Sequence, residues 1–76
     1  MIAAQLSQAL LERAAEACTR AHDREDLADG FAKEVFGHGA EAEREERIQR
    51  YIARTHRADA AVMVAAANHI HGVSPE

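Results

Sequence analysis

A chain of 76 residues makes one domain, near the lower size at which a hydrophobic core sustains itself. Hydrophobic residues form 47% of it, but half of these are Ala, with two Phe, one Tyr and no Trp, so any core is thin. A net charge of −4 argues against a non-specific grip of the whole molecule on nucleic acid or anionic lipid, and a lone Cys18 excludes an internal disulfide.

The unpaired cysteine suits a reducing cytosol, and a cytoplasmic location is expected. Ser7, Gln8 and Glu12 interrupt the first apolar run and no basic region precedes it, so no secretory leader is expected. No stretch approaches the ~20 apolar residues that span a bilayer. Heavy use of Ala, Arg and Glu favours helix throughout, and strand signals are absent, so the class is all-α.

The first arm runs from about Ile2 to Phe36. A stripe at helical spacing passes through Leu6, Leu10, Ala14, Ala17, Ala21, Ala28, Phe31 or Ala32, and Val35. Within it, Asp23 is a good N-cap with acidic residues in the turn that follows. A break near residues 22–24 is therefore expected, giving three helices in all; the alternative is one helix of about 50 Å. Gly30 stands alone in this pattern and fits a close helix crossing. Gly37-His38-Gly39 ends the arm, with Gly37 in the role of a left-handed cap.

The second arm, about Ala40 to His71, contains neither Gly nor Pro. Its first half is a charged ladder; its second half is almost bare of charge. Ile48, Tyr51, Ile52, Thr55, Ala58, Val62, Ala65, Ala66 and Ile70 recur at helical spacing, and Gly72 with Ser74-Pro75 closes the segment. Arms of similar length with a short connection predict an antiparallel helical hairpin. Facing residues should then have numbers summing to about 76, which pairs Ala14 with Val62 and Ala28 with Ile48.

A second set of small and apolar residues falls off these stripes: Leu11, Ala15 and Cys18 on the first arm, and Ala60, Met63, Val64 and Ala67 on the second. A helix apolar all round is normally buried all round. These seven residues are the expected dimer interface, two hairpins joining into a helical bundle. Oligomerisation is also the usual support for a scaffold this small without disulfides.

Four constellations carry possible chemistry. Arg47, Arg50, Arg54 and Arg57 share one helix face, and with the preceding turn they have the outline of a DNA-reading helix. Glu43 and Glu46 stand four residues before Arg47 and Arg50, so a self-paired solvated face is the stronger expectation. Asp23, Glu25, Asp26 and Asp29 lack the glycine-containing spacing of a calcium loop and fit a capping turn, or a docking patch for a basic partner. His56 with Asp59, and His69 with His71, are pairs where a metal needs three or four converging ligands. Cys18 and His22 share a helix face as an activated thiolate would require, but without a pocket or oxyanion donor a small interface residue is the simpler role for Cys18.

The sequence thus predicts no catalytic, cofactor or metal site and no enzyme. The expected function is a small dimeric interaction module serving as adaptor, inhibitor or accessory subunit for a protein partner. The alternatives are a DNA-binding regulator using the arginine face, and a metal-binding or redox helical protein.

Overall fold

The computed structural model describes residues 2–73, apart from the side chains of His71 and Val73. Two helices fill it: α1, Ile2–Ala32, and α2, Gly39–Val73. They pack against each other along their whole length as a rod of 57 × 13 × 12 Å. Ser7 Oγ–H donates to the Ala67 carbonyl at 3.2 Å across a sequence separation of 60, which fixes the antiparallel hairpin.

The seam between the helices follows a heptad. On α1 the buried and half-buried positions include 3, 7, 10, 14, 17, 21, 24, 28 and 31; on α2 they include 42, 46, 49, 53, 56, 60, 63, 67 and 70. Both series alternate steps of four and three, the 3.5-residue period of a coiled coil. The fully covered residues among them are small. Ala14, Ala17, Ala21, Ala28, Ala42, Ala53, Ala60 and Ala67 form the buried apolar core, and among the described residues no large side chain is fully buried. Methyl-sized contacts let the two backbones approach at the short end of the usual ~8–10 Å between helix axes.

This corrects the expected facing residues on α2. The seam runs one residue later than the Ile48–Ile52–Thr55–Val62–Ala66 stripe, through Gln49, Ala53, His56, Met63 and Ala67, a rotation of about 100°. Val62 is 68% exposed and Ile48 40%, while Ala60 is buried against Ala14 and Ala17 with Met63 beside them. Ala60, Met63 and Ala67, expected at a dimer interface, therefore belong to the contact with the chain's own α1. The register itself is within one helical turn of the expected one. The physical reason is approach: alanines let the helices come close over the full length, whereas Ile and Val in the seam would hold them apart wherever Ala alternates with them.

α1 is continuous through His22–Asp26. Asp23 is exposed and does not start a new helix, because Ala21 and Ala28 on either side of it are both fully buried against α2 and carry the seam across. α2 is likewise continuous through Gly72 to Val73, whereas Ser74 and Pro75 lie outside the described residues.

The end of α1 is a Schellman cap built on an unexpected residue. Val35 N–H donates to the Gly30 carbonyl at 2.8 Å and Glu34 N–H to the Phe31 carbonyl at 3.1 Å, with Glu34 in the left-handed region at φ 59°. Glu34, not Gly37, is the left-handed residue of the cap, and Gly39 at the start of α2 also has a positive φ, 80°. The close approach at Gly30 is with the turn rather than the other helix: a Cβ there would overlap the Phe36 ring, which meets Phe31 edge-on at 5.6 Å between centroids. A non-glycine residue in the left-handed region costs about 1 kcal/mol, so Glu34→Gly should raise stability by about 0.5–1 kcal/mol after its added chain entropy. A thermal melt checks this, and an unchanged or lower Tm would contradict the cap.

Candidate interaction surfaces

The hairpin has two long edges beside its seam, and they differ in what they do with charge. On the first edge the arginine ladder of α2 meets the acidic cluster of α1. Arg57 donates through Nε to Glu25 Oε2 at 2.8 Å and through Nη2 to Glu25 Oε1 at 2.6 Å, a bidentate pair. Arg50 donates to Glu46 Oε2 at 2.9 Å and to Asp29 Oδ1 at 3.2 Å. His22 lies 3.5 Å from Asp26 one turn along α1. Much of the acidic cluster is therefore the internal counter-charge of the ladder. Arg47 and Arg54 are exposed and have no ion-pair partner among the described residues.

The hydrogen bonds from Arg57 hold the Glu25 carboxyl below its ordinary carboxylate value. A depressed native pKa gives stability that is present above the unfolded value and lost as pH falls through the native one. The acid limb of a Tm–pH curve below about pH 4.5 should thus flatten in Arg57→Gln, with little change near neutrality because the pair is solvent-exposed. An acid limb identical in both proteins would remove Glu25 from the account.

On the second edge Arg13, Glu16 and Arg20 of α1 and His56, Asp59 and Met63 of α2 line one shallow depression. Further toward the turn Arg20 and His56 line a second depression with Asp23, Arg24 and Leu27. His56 and Asp59 are thus brought together, but beside a guanidinium. Among the described residues no group of three or more His, Cys, Asp and Glu side chains could hold a metal ion. Cys18 is exposed, and its helix neighbour His22 faces Asp26. His69 is exposed, and the side chain of His71 lies outside the described residues.

Of the seven expected interface residues, Leu11, Ala15, Cys18 and Val64 stay on the exterior, with Leu11 and Val64 only partly exposed. Larger apolar groups are more open elsewhere: Ile2, Leu6, Tyr51 and Val62 are each at least half exposed. Three polar residues of the seam lie outside the apolar stripes of the sequence. Arg24 Nη1–H donates to Gln49 Oε1 at 3.0 Å, forming a half-buried polar layer between Ala21 and Ala28. Ser7 is buried at the far end. Strict four–three steps that admit Ala and polar residues pick out all three.

No helix among the described residues is long and apolar enough to cross a membrane. No family model, curated protein or solved structure matches the chain.

Proposed function

We propose that the protein is a non-enzymatic helical interaction module that acts as a homodimer, in the manner of an adaptor, inhibitor or accessory subunit. One observation carries this: the buried apolar core among the described residues is alanine alone, while Ile2, Leu6, Tyr51 and Val62 are more than half exposed. At roughly 25 cal/mol per Å², covered alanines contribute little, while the uncovered large residues hold most of the available burial energy. A second surface that takes up those residues supplies the missing term.

The test is a dilution series followed by sedimentation equilibrium and circular dichroism. Mass should stay at twice the chain mass while helicity is full, and both should fall together on dilution. A fully helical monomer at low concentration overturns the reading. Arg47 and Arg54, exposed and without ion-pair partners among the described residues, support the alternative of a small DNA-binding regulator. A duplex mobility shift that weakens steeply with salt is the result that favours it.

A further inference from the structure

We infer that the turn end of the rod docks a basic segment of another protein, which sets a lysine or arginine side chain against the Phe31–Phe36 pair. This rests on the interaction-module reading and names a partner chemistry for it, but it does not need the homodimer. At the turn, Phe31, Phe36 and Ala42 form the apolar wall of a depression of about 280 Å³, completed by Gly37, His38, Glu41 and Glu45. That volume lies just under the ~300–1,000 Å³ of small-molecule pockets, so it suits a single side chain of a partner.

Phe36 is 57% exposed. Its ring is nonetheless held in place, since it occupies the space of a Cβ at Gly30 and meets Phe31 edge-on at 5.6 Å. Glycine weakens a helix relative to Ala, so α1 gives up stability to seat a ring that stays more than half in water. A ring fixed in that way makes a good interface anchor, because it has little freedom left to lose on binding.

The charge around this ring has one sign. Glu41 and Glu45 are the carboxylates of the depression, and the adjoining one, which shares Phe31 and Ala42, is lined by Glu34, Glu43 and Glu46. No Lys or Arg lines either. From Phe31 to Glu46 the chain sets these five glutamates against Lys33 and Arg44. Arg50 holds Glu46, while Glu34, Glu41, Glu43 and Glu45 have no ion-pair partner among the described residues. α1 ends where α2 begins, so a negative and a positive helix-dipole end lie side by side and the side chains set the sign.

Glu41, in the first turn of α2, has a structural reason to be there, because a carboxylate favours a helix N-terminus. Glu45 has no such reason. It stands a turn further in, half-buried in the same depression as the two phenylalanines and without a counter-charge. A partner's lysine or arginine answers each part of this surface. Its stem packs on the ring, its charge is drawn to the ring face, and its head reaches the carboxylates. A neutral apolar side chain fills the pocket but leaves Glu45 uncompensated, and an acidic one is repelled.

The probe is a fluorescein-labelled peptide of four arginines alternating with leucines, with a control peptide in which glutamine replaces every arginine. Anisotropy should show saturable binding of the arginine peptide below about 1 mM that weakens as salt rises, and no binding of the control. Glu41→Gln with Glu45→Gln should weaken binding about tenfold, and Phe36→Leu, which stays apolar but loses the ring face, about threefold. Glu12→Gln with Glu16→Gln removes the same charge from exposed sites far from the turn and should change binding less than about twofold. Circular dichroism checks that each variant is folded, and the glutamine pairs decide the matter even if Phe36→Leu disturbs the turn. Equal weakening by the two pairs means that the peptide reads net charge alone, and overturns the site. Equal binding of the control peptide overturns the cation. Binding that strengthens as the protein is diluted means that a second copy holds the turn end, and overturns the partner. No binding at 1 mM overturns the inference, while the homodimer reading still stands or falls on its own dilution series.

Discussion

Ala21→Leu should lower stability by about 2–3 kcal/mol, the upper part of the range for overpacking a close contact. Ala21 is fully covered, and Ala14, Ala28, Ala53 and Ala60 are its neighbours along the seam. A Leu at this point has no void to enter. It must hold α1 and α2 apart locally, and separation at one layer removes methyl contacts in the layers above and below. For a domain of this size the loss corresponds to a fall in Tm of about 10–20 °C. Ala15→Leu, one residue out of the seam on an exposed position, should stay within about 0.5 kcal/mol of the wild type. Denaturant midpoints of the two variants decide the matter. If Ala21→Leu is as stable as Ala15→Leu, the seam is not a close alanine contact and the hairpin described above is wrong in its central feature.

The same seam shows why the sequence disclosed the hairpin but not its facing. Helix propensity, the turn around residues 33–38 and the nearly equal arms are local properties, and they suffice for two antiparallel helices. Which face of each helix turns inward is a competition between area and approach. Ile48, Ile52 and Val62 carry the larger transfer energy per residue and on that ground belong inside. Ala53, Ala60 and Ala67 prevail because their smallness, repeated at seven-residue steps, lets contact continue without interruption from end to end. On α1 the two criteria coincide at Leu10, Ala14, Ala17, Ala21 and Ala28, which is why that stripe was legible. The break at Asp23 misled for a related reason: a good N-cap is a local preference worth about 1 kcal/mol, and a continuous packed seam outweighs it. Of the interaction surfaces, the Glu46–Arg50 pair was readable as a four-residue spacing. The Arg57–Glu25 pair was not, because it depends on the rotation of α2 about its axis.

Replacing the polar layer should strengthen the hairpin and loosen its specificity. Arg24 and Gln49 are half-buried and joined by one hydrogen bond at 3.0 Å, between the fully covered Ala21 and Ala28 layers of the seam. The guanidinium gives up part of its hydration to make that bond, and a neutral acceptor returns less than a carboxylate would. Arg24→Leu with Gln49→Leu removes both polar groups at once and places two side chains of lesser length where longer ones already fit. The double variant is therefore expected to gain about 1–2 kcal/mol, as buried polar and ionic groups replaced together by apolar ones often do. Gln49→Leu alone should gain less or lose slightly, because it leaves the Arg24 guanidinium without its acceptor. What the layer supplies instead is register. It is the one place where a slip of a heptad sets Arg24 or Gln49 against alanine, and such a polar position fixes alignment at some cost in stability. The double Leu variant should accordingly show a higher guanidinium midpoint together with a broader distribution of assembly masses in sedimentation velocity. A double variant less stable than the wild type by more than about 1 kcal/mol would mean that the Arg24–Gln49 bond contributes net stability, and that the seam tolerates it for strength rather than for alignment.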